Sequence, residues 1–176
     1  RHVANAREGY LPYPMRALRM KDFVYIRNFA PERTPMGDPK KALDPEVVAT
    51  NALAGNTMIG FADMDGSPTK AWLVAHRDDP KWQWHYEHAF GKRPGEELYD
   101  LRQDPDQVKN VAADPAYART KAELAARLLK QLTAARDPRV TGDGMAFERP
   151  PFTGPVDDGA GGKGQKKKAK QVSTRE

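Results

Sequence analysis

The sequence has no cysteine, which excludes disulfides, thiolate zinc sites and a cysteine nucleophile, and leaves the redox compartment undetermined. Serine is nearly absent as well: Ser67 and Ser173 are the only two. No apolar run approaches the roughly 20 residues of a membrane span, and no signal-peptide pattern stands in the chain. Apolar residues make up only 39% against 30% charged, and 15 prolines and 14 glycines interrupt the chain repeatedly. Much of it must therefore run as loop or tail. The 176 residues still suffice for one domain with a modest core. The chain starts at Arg1 and not at methionine, and is read as a fragment of a longer protein.

The formal charge is +5, but Lys163-Gly164-Gln165-Lys166-Lys167-Lys168-Ala169-Lys170 holds five lysines. Removing them cancels the excess. The basic character belongs to a tail, and no nucleic-acid-binding face is expected.

What the chain does have is organised around Glu96-Glu97-Leu98-Tyr99-Asp100-Leu101-Arg102-Gln103-Asp104-Pro105. Leu98 and Leu101 flank the polar Tyr99-Asp100 pair, as in a short half-buried strand. Asp104-Pro105 then imposes a turn, because proline fixes φ and has no N–H for a sheet. Asp114-Pro115 opens a helix on which Tyr117, Leu124, Leu128, Leu132 and Ala135 share one face, flanked by Ala125 and Leu129. It runs to about Arg136, whose cation suits the negative helix end. Upstream, Tyr13 to Met20 and Phe23 to Phe29 read as a β-hairpin. Phe23, Tyr25, Arg27 and Phe29 alternate with Val24 and Ile26. Lys21-Asp22 is not a preferred two-residue turn, so a longer one is expected.

Ala30 to Pro45 should be an irregular surface excursion. Asp44-Pro45 starts a short helix ending near Gly55. Ser67-Pro68 caps a second, and Asp79-Pro80 a third, aromatic one closed by Gly91. An amphipathic helix as long as the last is marginal alone in water, so its leucines need the hairpin and the Leu98 strand as a partner. The expected fold is α+β: a small antiparallel sheet packed against a C-terminal amphipathic helix.

Glu97-Leu98-Tyr99-Asp100-Leu101, Asp104-Pro105 and Asn110-Val111-Ala112 together resemble a signature near the C-terminus of type I sulfatases. Gln107 stands where that pattern has an acid, and Val111 where it has leucine. Tyr13-Pro14-Met15-Arg16 with Phe23-Val24-Tyr25-Ile26-Arg27-Asn28 is similar to a segment of the heparan N-sulfatase (N-sulfoglucosamine sulfohydrolase) branch and its bacterial relatives. So is Asp137-Pro138-Arg139-Val140, just after the helix. The resemblance implies that residues 1–152 are the C-terminal subdomain of an alkaline-phosphatase-like fold, with a disordered Gly/Lys-rich tail at 153–176. It implies a partner in the chain's own N-terminal catalytic domain. That domain would use a formylglycine nucleophile, made from cysteine or serine within C/S-x-P-S-R, and a calcium ion, to hydrolyse sulfate esters or sulfamates on a carbohydrate. Secretion or a periplasmic location is family habit. Ser67-Pro68-Thr69-Lys70 lacks the spacing and the arginine of that motif, so no catalytic or metal residue and no cofactor is assigned to this segment.

His2 lies just upstream of the Tyr13-Pro14 segment, where the family chain runs close to the substrate pocket. The resemblance implies that His2, with Arg1 or Arg7, faces an anionic sugar; an ordinary polar loop is the alternative. His85 and His88 could join Asp78 or Asp79 around a metal, but two histidines fall short of the three or four ligands needed. Asp63-Met64-Asp65-Gly66-Ser67 starts like a calcium loop and then lacks the later acids. Trp72, Trp82, Trp84 and Tyr86 could stack on sugars, though tryptophans are usually largely buried and core packing is the preferred reading. The reading from another class is an independent polyanion- or glycan-binding module with a basic tail.

Overall fold

The computed structural model describes residues 6–149; the expected tail, Arg1 and His2 lie outside them. A three-stranded antiparallel sheet, in the order β1-β2-β3, is formed by β1 (Met15–Arg19), β2 (Phe23–Asn28) and β3 (Glu96–Asp100). Its register sets Leu18 opposite Tyr25 and Tyr25 opposite Leu98. Strand alternation places these three on one face. Across that face lies helix α4 (Ala118–Ala134), which buries Leu124 and Leu128 against them together with Val111 and Ala112. Each buried leucine contributes about 1.5–3 kcal/mol. That burial stabilises a helix that would be marginal by itself. The expected sheet-on-helix arrangement is therefore the one observed.

Details differ at the ends. The hairpin turn is tighter than expected: Met20 N–H donates to Phe23 O at 2.8 Å across Lys21-Asp22. Leu101 N–H donates to Asp22 O at 2.8 Å, which ties the turn to the end of β3. Asp114 caps a 3-10 turn, Pro115–Tyr117, before α4 begins, its carboxylate accepting from Ala116 N–H at 2.9 Å. Ala135 does not share the buried face. It is the C-cap of α4 and is exposed. Asp100, expected as a polar position on a half-buried strand, is buried and fully hydrogen-bonded.

Between β2 and β3 the chain builds a second core. Helices α1 (Pro45–Ala49), α2 (Pro68–Ala75) and α3 (Gln83–Phe90) enclose Ala42, Leu53, Phe61, Ala71, Val74 and Phe90. The stretch from Ala30 to Pro45 is irregular, as its prolines dictate, but it is not confined to the surface: Ala30 and Ala42 are buried. Ser67 caps α2 as expected, its Oγ accepting from Lys70 N–H at 3.1 Å. The Lys70 side chain is fully buried and donates to the carbonyls of Phe61 at 3.1 Å and Met64 at 2.8 Å. Burial lowers its pKa. Gly37 has φ +93°, and a Cβ there would stand 2.9 Å from both Ala6 and Ala62. Only glycine permits that close approach to Ala6 and Ala62.

Candidate functional site

The segments that carry the family resemblance converge in space. Arg16 of β1 forms a two-pronged ion pair with Asp137, just past α4: Nε to Oδ2 at 2.6 Å and Nη2 to Oδ1 at 3.0 Å. Burial alone would raise the Asp137 carboxyl, but Arg16 and the Arg139 N–H outweigh it and hold the pKa down. Next to this pair, Glu148 accepts from Arg139 at 2.5 Å and from Arg33 at 3.1 Å. Arg33 also donates to Pro12 O at 2.8 Å. These charge-assisted pairs join the hairpin, the chain before β1 and the segment after α4.

β3 divides its side chains between two faces. Leu98 and Asp100 point to α4, and the Asp100 carboxylate accepts from Arg102 Nη2 at 2.6 Å and from Tyr117 OH at 3.2 Å. Glu97 and Tyr99 point the other way. There the buried Glu97 carboxylate accepts from Asn28 Nδ2 at 2.6 Å and Tyr99 OH at 2.5 Å. Tyr13 is buried near this cluster, and its hydroxyl is pushed up to about 12 by burial and then by the Glu97 charge. The Tyr99 hydroxyl is raised in the same sense, first by burial.

Of the residues put forward for substrate contact, only Arg7 is among those described. It is 4% exposed. Its guanidinium donates to Asp63 Oδ2 at 2.8 Å, to Thr34 O at 2.9 Å and to Pro35 O, and lies 5.6 Å from the Tyr13 ring centroid. Asp63, first residue of the apparent calcium loop, is thus an anion for Arg7. Among the described residues no group of three or more His, Cys, Asp or Glu could hold a metal ion. Asp63, Asp100, Asp137 and Glu148 serve arginines instead, and Glu97 serves Asn28 and Tyr99.

Of the four aromatics expected in the core, Tyr86 packs against the second core beside Phe90, but Trp72 and Trp84 do not follow the expectation. Trp72 and Trp84 stand 50% and 51% exposed. On α2, Trp72 stacks on His76 at 3.8 Å between centroids; on α3, Trp84 stacks on His88 at 4.0 Å. Both are i, i+4 pairs, the spacing that superposes side chains on a helix. Trp82 meets Trp72 edge-on at 6.0 Å and His85 at 5.5 Å, and His85 meets Trp84 at 4.9 Å. Six rings form one continuous surface ribbon. Backbone carbonyls can only accept, so His76 Nδ1–H donates to Trp72 O at 2.9 Å and His88 Nε2–H to Val108 O at 3.1 Å. Both imidazoles are fixed. The doubled Trp-x-x-x-His spacing was the sequence signal for this ribbon, and the preference for core packing passed over it.

An apolar groove of about 340 Å³ runs beside α4, lined by Tyr25, Phe29, Ala125, Leu128, Leu129 and Leu132. Leu129 is 54% exposed at its mouth. Among the described residues no helix is long and apolar enough to cross a membrane.

No family model matches the chain. Two curated proteins are similar to parts of it. A Delta 4,5-hexuronate-2-O-sulfatase from Bacteroides thetaiotaomicron is 33% identical over 73 residues, covering 31% of this chain and 15% of its own length. An ulvan-active sulfatase from Formosa agariphila is 28% identical over 124 residues, covering 70% of this chain and 17% of its own length. The chain thus spans less than a fifth of the length of either relative. Neither name is that of an N-sulfatase, so the similarity supports a link to sulfatases in general and not to the heparan N-sulfatase branch. On these matches, the chain is related to bacterial sulfatases.

Proposed function

We propose that this chain is the C-terminal part of a longer sulfatase that hydrolyses sulfate esters or sulfamates on a carbohydrate. Within it the segment acts structurally, capping the catalytic domain and shaping one wall of the substrate cleft. The observation that carries this reading is the Arg16–Asp137 pair, in which two separated segments of the resemblance are joined by a bidentate ion pair. The resembling residues of β3 are likewise used for packing and hydrogen bonding: Leu98 in the core, Glu97 and Asp100 in buried polar networks. Residues so committed build a scaffold. The nucleophile (a formylglycine) and the calcium ion belong, on this proposal, to the region upstream. His2 and Arg1 are, on this proposal, contacts for an anionic sugar, while Arg7 is committed to Asp63 and Thr34. A secreted or periplasmic location follows from the same reading.

The test is the intact mass of the polypeptide in its native source, followed by sulfate-release assays on the purified product. We expect a product several times longer than this chain, with a C/S-x-P-S-R motif upstream. It should release sulfate from an O-sulfated or N-sulfated oligosaccharide, whereas the 176-residue chain alone should release none. A product starting at Arg1, or a long product inert on both substrate types, would overturn the reading.

A further inference from the structure

We propose that the ring ribbon of α2 and α3 binds an oligosaccharide chain, with the open surfaces of Trp72 and Trp84 as its stacking positions. Each of these indoles already has an imidazole stacked on it and is still half exposed. Leaving so much indole in water forgoes burial that a protein this poor in apolar residues could use. Each stacked imidazole is itself held by a backbone carbonyl, so the rings are set in place before any ligand arrives.

The surroundings select the ligand class. Arg77 pairs with Asp78, and Lys81 lies 5.1 Å from the Trp82 ring centroid; Asp79 and Glu87 are on the same segments. Positive and negative groups nearly balance, which gives no phosphate-tracking groove for a nucleic acid. The rings are interleaved with imidazoles and flanked by charged side chains, a mixture that suits a polar ligand better than a lipid surface. A pyranose ring suits this surface: its C–H face lies on an indole, and its hydroxyls find donors and acceptors in the imidazoles, Lys81 and the carboxylates. The argument uses these rings alone and does not depend on the sulfatase relationship.

All three tryptophans of the chain, Trp72, Trp82 and Trp84, lie in the ribbon. Tryptophan fluorescence of the full chain, excited at the red edge where tyrosine does not absorb, therefore reports on this surface. The experiment titrates it with a heparin-derived oligosaccharide pool and, separately, with an unsulfated cello-oligosaccharide pool. Expected is a saturable change in emission, and protection from iodide quenching, with at least one pool. Trp72→Ala and Trp84→Ala should each bind about tenfold more weakly. Trp82 remains in both variants as the reporter, and unchanged far-UV circular dichroism shows that they fold. Binding of equal strength in the Trp72→Ala/Trp84→Ala double variant would overturn the proposal. So would the absence of a saturable change with both pools, or indoles shielded from iodide in a longer native product, where another part of the polypeptide would be covering them. Sulfate release by that product would be unaffected by any of these failures.

Discussion

The side-chain oxygen of Asn110 takes the place of a fourth strand at Leu98. It accepts from Leu98 N–H at 2.9 Å, and Val111 N–H donates back to Leu98 O at 2.8 Å. The same oxygen accepts from Ala112 N–H at 2.9 Å. β3 is an edge strand, and an unpaired edge invites association with other chains. One asparagine closes it at its buried centre.

Asn110→Ala should therefore cost about 2 kcal/mol, because it strands two backbone donors beside buried residues. Asn110→Asp keeps the acceptor and should recover most of the loss. Urea unfolding of both variants checks this. Equal destabilisation by alanine and aspartate would mean that the oxygen is not the group that matters.

Asp100 predicts an acid limb in the stability profile. Hydrogen bonds from Arg102 hold its carboxyl down to about 2 from an ordinary 3.8. Between those values the unfolded chain binds more protons than the folded one, so stability rises with pH there. The contribution is complete above about pH 4 and is lost as the pH falls toward 2. Arg102 is 56% exposed, so solvent screening leaves about 1 kcal/mol. Thermal melts of the native chain and of Asp100→Asn between pH 2 and 5 should converge at the acid end. Parallel curves would contradict the assignment.

Local patterns made half of this molecule readable. The alternation from Phe23 to Phe29, the leucine spacing of α4 and the Ser67-Pro68 cap each encode their element within a few residues. The second core has no such code: Ala42, Leu53, Phe61, Val74 and Phe90 come from turns and short helices without a common period. Arg7 could not be placed from sequence, because its anion, Asp63, is 56 residues away. The tryptophans were misjudged by a burial tendency that holds on average and fails for Trp72 and Trp84, whose neighbours at i+4 are histidines.

Arg136 holds a conformation that suits another residue. It has φ +52° just past the end of α4, where its N–H donates to Thr133 O at 3.0 Å and Asp137 N–H to Leu132 O at 2.8 Å. This pair of hydrogen bonds is the Schellman ending of a helix, whose left-handed residue is usually glycine. A side chain with a Cβ costs about 1 kcal/mol there. Arg136→Gly should raise stability by about 0.5 kcal/mol, the relief of strain being offset in part by the freer unfolded chain and the lost cation at the helix end. A melting temperature below that of the native chain would contradict this account of the ending.

Glu148 holds two arginines at once. Its side chain is 5% exposed and that of Arg139 6%; Arg33 reaches the same carboxylate from the start of the second core. Burial would raise the Glu148 carboxyl, but the two guanidiniums reverse that and lower it. Removing the shared anion leaves cations facing each other in a poorly solvated site. Glu148→Ala should therefore cost about 3 kcal/mol, more than a surface ion pair could. Replacing Arg139 and Glu148 together by methionine should cost less than the sum of the two single changes, since the pair then leaves as a unit. Chemical denaturation of the four members of that cycle measures the coupling. Additive costs would show that Glu148 and Arg139 are neighbours without being partners.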